Sequence, residues 1–276
     1  MKIKALKILK IINLITILLL ALLGIYTITL ISYLLENFSV IIFYLPIIII
    51  PIYGFPFATL INATLTAIIL LSIFLGLKYC SAEIQERKVF IGEIIPVIYL
   101  IATIISILIP QEQPIPLDIR IVPALVIWAP IYEEIFFRLI LILLPVAIKT
   151  NNFRIFFEKK DSIERFDLII ISLSSLIFGL YHYSAGLGGI LAATIAGLFL
   201  GYICVRYGLI FSILTHFMLN LLTGSYIVAF SYGHIYVLYF NLATMTLLIA
   251  MGIPNLILLC FYILKQKHTF FGSKSV

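Results

Sequence analysis

The chain has 276 residues, is 63% hydrophobic and 11% charged, and carries a formal net charge of +6 with a mean hydropathy of +1.23. This composition excludes a soluble globular domain and belongs to the membrane class. The apolar runs are continuous over about 20 residues, which excludes a β-barrel, whose spans alternate polar and apolar positions. The positive charge sits in loops and tails, so it bears on membrane orientation and not on nucleic acid.

The expectation is one all-α, polytopic transmembrane domain over residues 1–276 with about eight transmembrane helices. Lys2, Lys4, Lys7 and Lys10 precede an apolar run at about 11–35. That run is too long for a signal-peptide core and no A-x-A site follows, so it reads as a retained first span. Residues 38–56 are apolar but carry Pro46, Pro51 and Pro56. Proline removes a donor and kinks a helix. This piece reads as re-entrant or interfacial, or as the distorted start of a second span at about 57–77.

A charged loop with Lys78, Glu83, Glu86, Arg87 and Lys88 leads to a third span at about 90–109. The turn-rich stretch Pro110 to Asp118 leads to a fourth at about 121–148. The next loop, from Lys149 to Asp167, is the most charged and reads as a solvated connector. Spans five to seven lie at about 168–185, 188–205 and 208–224, joined by glycine-containing turns, and the last lies at about 236–264. With the N-terminus inside, every Lys and Arg except Arg120 and Arg138 falls on the inner side. That asymmetry supports a multi-pass cell-membrane protein with both termini cytoplasmic. Ala193, Gly197 and Gly201 stand four apart and predict close helix packing within the bundle. Cys80, Cys204 and Cys260 are widely spaced and read as small buried residues.

The fourth span holds the stretch W-A-P-I-Y-E-E-I-F-F-R, Trp128 to Arg138. Ionisable groups at membrane depth cost ~2.5–3.5 kcal/mol each on insertion scales, so they normally mark function. Glu134 and Arg138 are i,i+4 and share a helix face, which lets them pair. Glu133 lies about 100° round the helix and is left for a site. Two further motifs carry polar groups at the same spacing: Phe178 with His182, and His216 with Asn220.

Glu133, His182, His216 and Asn220 together form a hydrolytic constellation. A buried carboxylate can take a proton from water that a histidine holds, and His216 and Asn220 can donate to a developing oxyanion. The alternative is a metal site, with Glu133, His182 and His216 as ligands of a divalent ion such as zinc. Neither reading is excluded by spacing, and no cofactor is certain. Each motif alone also fits a structural role, as an interhelical hydrogen bond or a buried ion pair. Three on three spans, in a chain nearly free of other intramembrane charge, point to a site. The chain has no H-E-x-x-H, its H-Y-S-A-G around Ser184 is not G-x-S-x-G, and no aspartate falls within a span.

E-E-x-x-x-R at Glu133–Arg138, F-x-x-x-H at Phe178–His182 and H-x-x-x-N at His216–Asn220 resemble the three motifs of the CPBP family, which holds the type II CAAX prenyl endopeptidases and bacteriocin-processing or immunity (Abi) proteins. The stretch from Ala196 to His216 is similar too, and the motif core spans about 120–225. The resemblance implies an eight-helix intramembrane endopeptidase with a conical cavity. Glu133 would activate water with help from His182, and His216 and Asn220 would stabilise the oxyanion. Glu134, Arg138 and Phe178 would support them. The partner implied is a membrane-associated peptide or protein substrate in the bilayer, prenylated or leader-bearing. A non-catalytic scaffold or immunity protein on the same fold is the alternative. Counted from the inner helix ends, Glu133 and His182 lie roughly 23 Å deep but His216 roughly 14 Å, so the three meet only if the helices differ in length or protrude.

Overall fold

The computed structural model describes residues 91–109, 122, 124–156, 160, 163–231, 233 and 235–271, and in part residues 8–26, 40–53 and 67. The bundle is helical, as its composition requires. In a bilayer every backbone donor and acceptor must find a partner within the chain, and a helix supplies them locally. The described helices are α1 (Ile91–Leu108), α2 (Ala124 to Thr150), α3 (Arg165–Tyr181), α4 (Gly186–Tyr207), α5 (Leu209–Ser231) and α6 (Ile235–Phe271). Described positions between 8 and 26 are also helical.

One departure from the all-α expectation lies at the proline-broken piece. Val40–Tyr44 and Ile49–Tyr53 pair as antiparallel strands β1 and β2, with Val40 opposite Tyr53 and Tyr44 opposite Ile49. The prolines disfavour a helix there, and the Val, Ile, Phe and Tyr residues between them favour extended backbone. Pro51 is tolerated because each strand of a two-stranded sheet keeps one edge unpaired. Apart from residue 67, the expected second crossing at 57–77 lies outside the described residues, as do the charged loop at 78–88, Cys80, the loop at 110–118, His234 and the side chain of His268.

Among the described residues, three stretches are long and apolar enough to cross a membrane: Tyr183–Tyr207, Leu209–Phe230 and Ile235–Phe261. Helices α1 and α3, at 18 and 17 residues, are shorter than the ~20 of a full apolar crossing. The outer faces are apolar, with Ile107, Leu176, Leu180, Leu187, Ile257 and Phe261 all exposed. That surface suits lipid contact. Asn13 and Asn255, both buried, exchange reciprocal amide hydrogen bonds of 3.1 and 2.9 Å. This pair fixes the N-terminal helix on α6, since two amides in an apolar medium satisfy each other best.

Helix α2 is not a uniform α-helix. It opens as a π-helix at Ala124–Trp128, tightens to α over Ala129–Glu134, widens again at Ile135–Leu143 and ends as α at Leu144–Thr150. Such widened turns occur often at functional sites. Asn151 closes α2 in a left-handed conformation (φ 48°), which asparagine tolerates.

The described charged residues of the connector are mostly exposed, as expected, but Lys160 is half-buried and Asp167 buried. Asp167 is buried and accepts from the Glu164 backbone N–H and from Lys160 Nζ, both at 2.7 Å. Burial pulls the Lys160 ammonium down, but its hydrogen bonds to Asp167 and Glu164 outweigh this and hold it above the usual lysine range. Arg206, at the end of α4, donates to the Lys160 carbonyl at 2.6 Å. Cys204 is buried as expected, whereas Cys260 is exposed on the apolar face of α6.

Helices α3 and α4 approach closely through glycine. Gly197 faces the Ser175 backbone, and Gly201 faces Ile171 and Ile142. The small-residue stripe is therefore used inside the bundle. A Cβ on Gly179 would collide with Thr194 Oγ1 and sit 2.7 Å from the Ile190 carbonyl. Gly179→Ala is accordingly expected to destabilise the purified protein by about 1–3 kcal/mol, seen as a lower Tm in detergent. An unchanged Tm would show that α3 and α4 are not packed this closely.

Candidate active site

Glu133 and Glu134 close the α segment Ala129–Glu134 and point apart, as the helical step requires. Glu134 is fully buried. Its Oε1 accepts from His216 Nδ1 at 2.9 Å. Its Oε2 accepts from Ser212 Oγ at 2.5 Å and lies 3.3 Å from Arg138 Nε. The expected Glu134–Arg138 pair is present, but it is one of three contacts to the same carboxylate.

Ser212 is the residue that sequence reasoning missed. It stands four before His216, so both reach one carboxylate from one face of α5. The i,i+4 spacing was available as a signal, but serines are common in these helices. The Ser212 hydroxyl also lies 2.9 Å from the Leu200 carbonyl. Its single proton goes to the charged acceptor, the stronger of the two.

With His216 Nδ1–H donated to Glu134, Nε2 faces Glu133 Oε2 at 3.6 Å. That separation is longer than a hydrogen bond. His182 follows the last residue of α3, and its Nδ1 bonds the Phe178 carbonyl at 2.9 Å. The carbonyl can only accept, so Nδ1 carries the proton, and the Nε2 of the neutral ring presents a lone pair.

Phe178 joins these groups. Its ring packs against His182 at 4.6 Å and His216 at 5.7 Å, and the Arg138 guanidinium lies 4.4 Å over it. Arg138 is fully buried, and its Nη1 and Nη2 have no hydrogen-bond partner among the described residues. Its charge is met by Glu134 and by the ring face.

Asn220 donates from Nδ2 to the Leu125 carbonyl at 2.9 Å. The local cause lies in α2. In the π register of Ala124–Trp128 the donor five residues beyond Leu125 is Pro130, which has no N–H. Asn220 fills that gap with one N–H, and an amide NH₂ carries a second. Asn220, His182 and His216 line one cavity of about 240 Å³, together with Phe178, Tyr99 and Leu219. Tyr99 donates to the Leu219 carbonyl at 2.8 Å.

The expected difference in depth between His216 and the other motifs does not keep their side chains apart. Helix α3 is short and ends before His182, while α5 runs through 23 residues. The three motifs from α2, α3 and α5 converge around Phe178. Among the described residues, however, no group of three His, Cys, Asp or Glu side chains is gathered closely enough to hold a metal ion. Glu133, His182 and His216 are not gathered into such a group in this structure.

Residues 115–222 match the family model described as type II CAAX prenyl endopeptidase Rce1-like. Over this segment the chain is similar to the Rce1-like family. The matched segment contains all three motifs and the whole Glu134 cluster. The Rce1-like family is one of membrane proteases, and the exposed apolar helices agree with a membrane protein. Comparisons with curated proteins and with solved structures return no match.

The geometry makes Ser212 a support of the buried carboxylate. Ser212→Ala removes a hydrogen bond to a charged group and is expected to cost about 1.5–3 kcal/mol of stability. Thermal unfolding in detergent reads this directly. A variant as stable as the parent would mean that Glu134 does not depend on the hydroxyl.

Proposed function

We propose that this protein is an intramembrane endopeptidase that hydrolyses a peptide bond in a membrane-associated substrate, with Glu133 as the base that activates water. The observation that carries this reading is the convergence of Glu133 with His216, beside the cavity lined by His182, His216 and Asn220, inside the Rce1-like segment.

The roles of His182, His216 and Asn220 draw on their hydrogen bonds, and that of Glu133 on its place beside His216. His182, with Nδ1 occupied, offers the Nε2 lone pair to one hydrogen of a water molecule. Glu133 takes the other as the water oxygen attacks the substrate carbonyl carbon. The carbonyl π pair moves onto oxygen and forms an oxyanion. The second N–H of Asn220 donates to it. His216 Nε2 adds a donor when the ring is an imidazolium, since its Nδ1 proton is committed to Glu134. On collapse the C–N bond breaks, and Glu133 returns its proton to the leaving amine. Glu134 and Arg138 do not touch the substrate in this scheme. They hold His216 and Phe178 in place.

The substrate proposed is a prenylated or leader-bearing membrane peptide, and a farnesylated peptide ending in C-a-a-X is the first probe. Removing a general base costs about 10²–10⁴-fold. Glu133→Gln is expected to lower kcat by about that factor while leaving Tm near that of the parent. Cleavage is expected to persist after treatment with a strong chelator. Full turnover by Glu133→Gln would sink the base assignment, and loss of turnover on chelation would favour the metal reading. A wild type that binds a membrane partner but cleaves nothing would favour the scaffold or immunity reading.

A further inference from the structure

We propose that Tyr99 is a positioning residue for the Asn220 amide, an inference that rests on the oxyanion role assigned to Asn220 above. Tyr99 belongs to α1, which precedes the Rce1-like segment, so the family match says nothing about it. Helix α1 packs along α6 and α4 and meets α5 only marginally. Yet Tyr99 reaches across to α5 and donates its hydroxyl to the Leu219 carbonyl at 2.8 Å. Leu219 is the residue immediately before Asn220, and Tyr99 lines the same cavity as Asn220, His182 and His216.

The turn of α5 that carries Asn220 is therefore held at two points. From α2, the Leu125 carbonyl takes one amide N–H of Asn220 at 2.9 Å. From α1, the Tyr99 hydroxyl holds the preceding backbone carbonyl. The Leu219 carbonyl does not need Tyr99 to be satisfied. It is an interior helix carbonyl with an intrahelical donor, and the Thr223 hydroxyl also lies 3.4 Å from it. The phenol does need an acceptor, because a hydroxyl in an apolar medium is costly when unpaired. That requirement fixes the distance between α1 and the Asn220 turn. It also fixes where the second amide N–H of Asn220 stands relative to the cavity. A misplacement of about 1 Å in a catalytic donor can cost about 10²-fold, so a small hydroxyl has leverage here.

The test uses the full chain in detergent and a farnesylated peptide ending in C-a-a-X. Tyr99→Phe keeps the ring and deletes the hydroxyl. The expected result is a fall in kcat of about 10-fold, with KM within about twofold of the parent. Introduced into Asn220→Ala, which loses activity by itself, Tyr99→Phe is expected to cause no further fall, because residues acting through one group are not additive. Unchanged kcat in Tyr99→Phe, a rise in KM instead, or multiplicative losses in the double variant would overturn the proposal and leave Tyr99 a packing residue. A wild type that cleaves nothing would remove the oxyanion reading itself and this proposal with it, and the two failures are distinguished by the parent's activity.

Discussion

The structure depends on one buried carboxylate. Glu134 has no exposure to solvent, and an isolated charge so placed would cost many kcal/mol. It is stable there because His216, Ser212 and Arg138 surround it, two of them from α5 and one from its own helix. The requirement acts on the fold as a whole. Helix α5 must dock on α2 with the face carrying Ser212 and His216 turned inward. Once it does, the His216 ring is fixed at Nδ1, and Nε2 is aimed at Glu133.

The neighbouring carboxylate has a different fate for a geometric reason. One helical step separates Glu133 from Glu134, so the same backbone sends one acid into the supporting cluster and the other toward a histidine across the helix interface. Arg138 carries the arrangement further. Its guanidinium lies over Phe178, and Phe178 touches both imidazoles. The irregular turns of α2 serve the same end. Pro130 leaves the Leu125 carbonyl without its π-register donor, and Asn220 supplies one. Each motif residue is thus placed by a need of the buried backbone or of a buried charge.

Much of this was legible in the sequence, and the reason is periodicity. The apolar runs declare a membrane bundle, and the i,i+4 pairs Glu134–Arg138, Phe178–His182 and His216–Asn220 declare which residues share a face. The split between Glu133 and Glu134 follows from the same rule. What was not legible depends on contacts between helices. Glu134 binds His216, 82 residues away, as well as Arg138. The Asn13–Asn255 pair spans 242 residues, and Tyr99 meets Leu219 across 120. No local pattern signals such pairs. The β hairpin at 40–53 was missed because prolines in an apolar run disfavour a helix without naming what replaces it.

The division of labour proposed between Glu133 and Glu134 has a direct chemical signature. Single-turnover cleavage of a farnesylated C-a-a-X peptide by chelator-treated protein in ¹⁸O-labelled water, read by mass spectrometry of both products and protein, would follow the attacking oxygen. A general base at Glu133 predicts one ¹⁸O in the newly formed peptide carboxylate and none in the Glu133-bearing fragment of the protein. Label in the side chain of Glu133 would mean that it attacks the substrate itself, and the account of a base acting on water would be wrong.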